Sequence, residues 1–281
     1  MTTLIADSGS TKTQWLLTSE NETLKPLVLT TRGLNPFHLD DNEIKLILLE
    51  ELLPQLPNSP IDRIFFYGAG CNEAMQPRMS TLLAHTLNAS HVSAHSDMLG
   101  AARALCGLNP GIACILGTGS NSCLYDGRQI TANTPPLGYI LGDEGSGATL
   151  GRRLLGNIFK HQLHSHIEND FSNTYHLTMQ EVIERVYRQP SPNRFLASFA
   201  PFIKSHIDNH ELEQMVISEF RSFLIRNVKA YPESNSLPVH FVGSIAHHFA
   251  PQLHIAAQAE KMVVGQILKE PIRALGQYHQ T

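Results

Sequence analysis

Two stretches of the chain are written to the same plan. Residues 4–18, LIADSGSTKTQWLLT, and residues 111–125, GIACILGTGSNSCLY, each run from an apolar strand into a turn of small polar residues and out into a second strand. Small residues let a backbone turn tightly and approach a ligand, and successive amides in such turns form nests that hold anions, phosphate above all. A turn between strands needs glycine on its own account, so neither stretch alone means phosphate. Two of them, each opening one half of the chain, point to two related α/β halves that clamp one polyphosphate across a cleft. Identity between the halves is confined to the glycine-rich turns.

The surrounding pattern fits two such halves. Thr3–Ala6, Thr13–Thr18 and Pro26–Thr31 read as three strands, with the polar Ser19–Leu24 as a hairpin connector. Asp41–Leu53 has helical periodicity with acidic residues in its first turn and stops at Pro54. Arg63–Tyr67 is a buried-type strand, Glu73–Leu87 a helix, Val92–Ala94 a short strand and Met98–Leu105 a helix. A second set follows with Gly111–Leu116, Asn121–Tyr125 and Gln129–Thr131, the last two joined at Asp126-Gly127. Helices are expected over Gly145–Phe159, Thr178–Tyr187 and Glu211–Val228. A strand is expected at Val239–Val242, and the closing Ile267–Gln277 turns helical after Pro271. Residues 160–235 carry no motif.

Composition removes several classes. A formal charge of −4 argues against nucleic acid or an anionic membrane as partner. The apolar runs are far shorter than the roughly 20 residues of a membrane span. Asp7 interrupts the first of them too early for a secretory leader. Cys71, Cys106, Cys114 and Cys123 show no CxxC spacing and lie in or beside apolar segments, so reduced, buried thiols of a cytoplasmic protein are expected. The histidines offer no metal-ligand spacing, and most are expected at the surface. Neither GxxxxGK[ST] nor GxGxxG follows the first strand.

Four motifs together resemble a known family. Asp7–Thr13 (DSGSTKT) looks like the first phosphate motif of the sugar kinase, heat-shock protein and actin ATPase superfamily. Leu116–Ser122 (LGTGSNS) resembles its second phosphate motif, and Phe241–Ala246 (FVGSIA) its adenosine motif. Gly138–Ser146 (GYILGDEGS) is similar to the GWGxxxGDEGS segment of the group that holds N-acetylglucosamine kinases and the ATPase activators of benzoyl-CoA reductase and hydroxyacyl-CoA dehydratase. Here Tyr139 stands where that segment has tryptophan, which leaves the shape of the sugar pocket open. The resemblance runs from residue 4 to the Ile267–Leu275 segment.

The resemblance implies an α/β fold of two ribonuclease-H-like, actin-like ATPase domains with an interdomain cleft. Residues 1–107 with a C-terminal helix of about 268–281 would form one domain, and 108–267 the other. It implies ATP and Mg²⁺. Asp7 would orient water on the metal, Gly9, Ser10, Thr11, Lys12, Thr13, Gly117, Thr118, Gly119 and Ser120 would hold the phosphates, and Gly243 and Ser244 would line the adenosine. Asp97 matches the catalytic aspartate that takes the proton of the attacking sugar hydroxyl, although an aspartate there also suits a helix N-cap. Asn35, Gly138, Tyr139 and Asp143 would join Asp97 on the sugar. Glu144 and Ser146 rank lower, as helix N-terminal residues.

The implied activity is transfer of the ATP γ-phosphate to the 6-hydroxyl of N-acetylglucosamine or a close relative. N-acetylmuramic acid is the alternative acceptor. An ATP-driven activator of an iron–sulfur dehydratase or reductase, or a sugar sensor without catalysis, are the alternatives of other class. A cytoplasmic homodimer is expected from the family.

Overall fold

In the computed structural model, residues 1–9, 11–19, 25–57 and 60–280 are described. The connector beyond Ser19 and Ser10 of the first turn lie outside them. The chain divides into two units: Met1–Asn109 with Gly127–Gln129 and Glu270–Thr281, and Pro110–Asp126 with Ile130–Lys269.

In the first unit β1 (Thr2–Ser8), β2 (Lys12–Ser19), β3 (Leu27–Arg32), β4 (Arg63–Gly68) and β5 (His91–Ser96) form one sheet in the order β3-β2-β1-β4-β5. β1, β2 and β3 pair antiparallel, while β4 and β5 continue parallel to β1. Alternation along the strands sorts side chains to two faces. Leu4, Ala6, Trp15, Leu17, Ile64 and Phe66 pack with α1 (Asp41–Ile47) and α2 (Gln76–Leu87). On the opposite face Ile5, Leu16 and Tyr67 pack with Ala104 of α3 (Asp97–Cys106) and with Ile272 and Leu275 of the C-terminal helix, Ile272–Tyr278.

The second unit repeats that sheet. β6 (Gly111–Leu116), β7 (Ser120–Tyr125), β8 (Ile130–Thr134), β9 (Val239–Val242) and β10 (Val264–Leu268) stand in the order β10-β9-β6-β7-β8. Once more the first three pair antiparallel and the last two run parallel to the first. The helices are α4 (Gly138–Leu141), α5 (Gly147–Phe159), α6 (Ser165–Tyr175), α7 (Met179–Tyr187), α8 (Pro192–Ala197), α9 (Ala200–Ser205), α10 (His210–Phe223), α11 (Ser244–His248) and α12 (Ala250–Ala259). One continuous core joins Ile112, Cys114 and Leu116 of β6 to Leu150 and Leu154 of α5 and to Phe220 and Phe223 of α10.

Two local expectations change. The helix begun at Asp41, with a capping box from Asp40 and Glu43, leaves α geometry at Leu48 for a π turn and then a 3₁₀ turn over Leu53–Gln55, where Pro54 removes a backbone donor. Ile267 and Leu268 finish β10 and are not helical. The motif-free stretch 160–235 supplies α6 to α10, whose apolar faces belong to the second core.

Candidate active site

β1, β4 and β5 run parallel, so their C-terminal ends share one edge of the first sheet, the place where open α/β sheets bind ligands. Asp7 lies at that end of β1, one residue earlier than the turn, opposite Gln14 of β2 and Tyr67 of β4. Alternation puts Asp7 on the face of Ile5, under α3 and the C-terminal helix. Burial above all, with the neighbouring Asp97 and Glu270 charges adding to the rise and Lys12 opposing it, lifts its carboxyl to about 7.

Asp97 opens α3. The N-cap position belongs to Ser96, whose Oγ accepts from Leu99 N at 3.3 Å. The capping duty that would have explained an aspartate here is therefore met by its neighbour. Asp97 Oδ1 accepts from Met98 N at 2.9 Å, and burial holds the carboxyl above the usual carboxylate range. Cys71, after β4, feels the same charge, and its thiol is pushed up to about 11, chiefly by burial.

Asn35 is 8% exposed and sits beside the loop that follows β4. Its Oδ1 accepts from Phe37 N at 3.0 Å. Gly70 is left-handed at φ +74°, and a Cβ there would lie 2.1 Å from Asn35 Oδ1. Only glycine fits against that side chain.

The first turn is less uniform than its composition implies. Gly9 N donates to Lys12 O at 3.0 Å, closing the turn, and Thr11 O accepts from Gly33 N at 3.1 Å. Lys12 is exposed and ion-paired with Glu270 at 2.5 Å. Thr13 is fully buried: its hydroxyl meets Ser8 Oγ at 2.8 Å, donates to Arg32 O and accepts from Leu34 N. It braces the base of the turn.

In the second unit β6, β9 and β10 are parallel, and the Gly117–Ser120 and Gly243-Ser244 turns share the edge formed by their C-terminal ends. The carbonyls of Gly117 and Thr118 accept from Gly147 N at 2.8 Å and Ala148 N at 3.1 Å, the first free amides of α5. The turn is thus anchored by its carbonyl side. Gly243 has φ +126°, and a Cβ would lie 2.2 Å from Leu116 O, so the adenosine-type turn packs directly on the end of β6. Ser244 begins α11 and is exposed.

The Gly138–Ser146 segment reaches the same turn. Asp143 is 8% exposed and left-handed at φ +53°, with its N–H bonded to Pro136 O at 3.0 Å. Its Oδ1 accepts from Ser120 N at 3.3 Å, and a Cβ on Gly119 would lie 3.0 Å from its Oδ2. Asp143 therefore joins the sugar-type segment to the phosphate-type turn. Burial raises its carboxyl to about 6, with Glu144 adding to the rise and the Ser120 N–H opposing it. Gly138 is exposed with φ +74° and nothing within contact of a Cβ. The Tyr139 ring packs on the second core while its carbonyl accepts from Arg152 Nη1 at 3.1 Å. Glu144 pairs with Arg226 at 2.6 Å, and Ser146 caps α5.

Gln14 and Glu270 enter this picture without a sequence motif. Gln14 is detectable from register alone, since the hairpin sets it opposite Asp7. All four cysteines are buried thiols, which removes the exposed ligands an intersubunit iron–sulfur cluster needs. Among the described residues no three His, Cys, Asp or Glu side chains are grouped to hold a metal, and no helix is long and apolar enough to cross a membrane.

No protein-family model and no curated protein matches the chain. Solved structures do. A Porphyromonas gingivalis protein designated an N-acetylglucosamine kinase is 48% identical, with 98% of each chain covered and a TM-score of 0.94. A Chromobacterium violaceum protein of the same designation shares the fold at 18% identity, TM-score 0.76, over 99% of this chain and 98% of its own. A ROK family glucokinase from Streptomyces griseus, solved with glucose and AMPPNP, shares it at 12% identity, TM-score 0.56, over the whole of both chains. The duplicated sheet, the two small-residue turns at strand ends and the close relative together establish that the chain belongs to the N-acetylglucosamine kinase-like family of actin-like ATPase sugar kinases.

Proposed function

We propose that the protein transfers the γ-phosphate of ATP to the 6-hydroxyl of an N-acetylated amino sugar, with Asp97 as the base. The observation that carries the assignment of Asp97 is its place at the start of α3 with the cap supplied by Ser96, which leaves a half-buried carboxylate at the ligand-binding edge whose one structural bond is from the neighbouring Met98 N–H to Oδ1. A carboxylate raised by burial is a better proton acceptor than an ordinary one, and phosphoryl transfer otherwise needs mainly alignment and charge neutralisation. Asn35 in the first unit, held beside Gly70, and Asp143 in the second, held beside Gly119, each carry polar atoms suited to a sugar's hydroxyl and acetamido groups. Gly138 and Tyr139 stand beside Asp143 in the same segment and join it on the sugar. Gly9, Thr11, Lys12 and the Gly117–Ser120 turn hold the phosphates, and Gly243 and Ser244 the adenosine.

Mg²⁺ fits the residues present only as a hydrated ion. With no grouped set of direct ligands among the described residues, Asp7 is the residue that would hold it, through water. When bound, it neutralises charge on the transferred group. The roles of the residues do not change with the acceptor, N-acetylglucosamine or N-acetylmuramic acid.

The partner we propose is a second copy of the chain. α7 turns Met179, Ile183 and Tyr187 outward at helical spacing, at 58%, 49% and 80% exposure, beside the exposed Ile140. A groove of about 320 Å³ lies between Ile140 and the Ile183 and Tyr187 side of α7, over Leu155 and Leu196. Glu181 and Glu184 precede Arg185 and Arg188 along the helix, so two copies packed antiparallel set acidic ends against basic ones. Ile183→Asp should convert a dimer to a monomer by light scattering; a wild-type monomer refutes the interface.

Function is tested by coupled ADP release over a panel of sugars, with Asp97→Asn alongside. If no amino sugar raises ADP release above background, the kinase assignment fails. If Asp97→Asn keeps its sugar-dependent rate, Asp97 is not the base.

A further inference from the structure

The return of the chain to its first unit brings a carboxylate onto the phosphate turn. β10 ends at Leu268, and the first unit resumes at Glu270, two residues before the C-terminal helix. There Glu270 Oε1 meets Lys12 Nζ at 2.5 Å, and Glu270 Oε2 accepts from Gln14 Nε2 at 2.8 Å. Lys12 and Gln14 are alternate residues of β2 and share the face of Leu16, which the C-terminal helix covers. One carboxylate thus holds the turn's cation and the strand's amide together. Gln14 is 8% exposed and its Oε1 is buried without a partner. The amide cannot turn over, because its oxygen would then face the carboxylate.

We infer that Glu270 competes with the nucleotide's phosphates for the ammonium of Lys12, and is a positioning residue that keeps nucleotide binding reversible. This rests on the kinase reading above. The Lys12 and Glu270 side chains are 52% and 35% exposed, so water reaches the pair and it holds weakly. A phosphate group carries more charge than one carboxylate and takes the ammonium from it. The displaced carboxylate stays fixed by Gln14 and opposes the bound anion, which favours departure of the nucleotide after transfer. A carboxylate that only fastened the C-terminal helix would change stability and leave nucleotide affinity alone.

The test is calorimetric titration of the intact protein with AMPPNP and Mg²⁺, without sugar, in wild type, Glu270→Gln, Lys12→Met and the double variant, with thermal unfolding measured beside it. Glu270→Gln should tighten binding about three- to tenfold, the scale expected for removing one like charge at short, solvated range. In the Lys12→Met background the same change should alter affinity by less than about twofold, since the coupling runs through that ammonium. If Glu270→Gln does not fold, Glu270→Asp, which draws the carboxylate back by one methylene, should also bind more tightly than wild type. Unchanged or weaker binding in the Glu270 variant overturns the inference, as does equal tightening without Lys12. A wild-type protein that unfolds cooperatively but binds no AMPPNP refutes the kinase reading itself, and this inference with it.

Discussion

The two units share one sheet order and use it differently. In the first, the strand ends carry charge: Asp7 on β1 feels Asp97 at the start of α3, Lys12 on β2 and Glu270 before the C-terminal helix, and the last two are ion-paired. In the second, the same strand ends carry shape: Gly117, Gly119 and Gly243 lie against backbone and Asp143, and α5 anchors the turn by its first amides. The duplicated scaffold thus gathers charged side chains at the strand ends of one half and closely packed glycine turns at those of the other. The glycines make the difference concrete. A Cβ on Gly9 would meet nothing closer than Lys12 O at 3.7 Å, whereas one on Gly243 would strike Leu116 O.

That division can be broken from either side. The largest effect is expected at Asp97: Asp97→Asn should lower kcat by about 10²–10⁴, the usual contribution of a positioned base, with thermal unfolding near wild type. A comparable loss in a variant that has also lost stability would mean that Asp97 is structural after all. Next is Gly243→Ala. It combines an unfavourable φ with a backbone collision and should cost about 2–4 kcal/mol of stability, read by denaturant unfolding. Gly9→Ala should lie within about 0.5 kcal/mol of wild type, as an open site allows. If both substitutions cost the same, the contrast between the units is wrong.

Two pH responses follow, of opposite kind. Burial, opposed by the Met98 N–H and its own N–H, holds Asp97 above the ordinary carboxylate range, so its basic form is lost at a higher pH than for an exposed aspartate. The acid limb of kcat/KM should accordingly lie at a higher pH than an exposed aspartate would give. The second concerns His279, stacked on Phe65 at 3.7 Å and hydrogen-bonded to Tyr67 Oη at 2.9 Å. Burial, with Arg103, His95 and Arg63 near, depresses it from 6.5 to about 4. A depressed histidine contributes stability above its unfolded pKa, and this is lost as pH falls from about 6.5 towards 4. Amide exchange in the C-terminal helix should rise over that interval before exchange in the second unit does. Simultaneous loosening of both would remove His279 as the cause.

Much of this was readable before any coordinates. Each small-polar turn lies between two short, largely apolar runs, and the hairpin register that follows places Asp7 opposite Gln14. Asp97 was legible as a helix start, but not as distinct from its cap, because Ser96 and Asp97 are equally good capping residues by type. β10 was missed for a physical reason: Val264–Leu268 is an edge strand, partly exposed along its length and interrupted by Gly265, so it lacks the apolar run that betrays a buried strand. Thr13 looks like its neighbours on paper, yet β2 turns it to the buried face while Lys12 stays out. Asp143 acquires its contact with the Gly119–Ser120 turn through a left-handed backbone that residue type does not reveal. Glu270 was beyond local reading, since its partner Lys12 lies 258 residues away in sequence.

The return of Glu270 and the C-terminal helix to the first sheet also has a consequence in time. A ribosome makes β1, β2 and Lys12 first, and the segment that covers their outer face only after the whole of the second unit. At about 5–20 residues per second, that interval is on the order of ten seconds or more. During it, Ile5, Leu16 and Tyr67 have no C-terminal helix over them, and Lys12 lacks its ion pair with Glu270. The nascent first unit is thus apolar on one side and more cationic at its tip than the finished protein, a state in which a chaperone or a polyphosphate would find it most receptive.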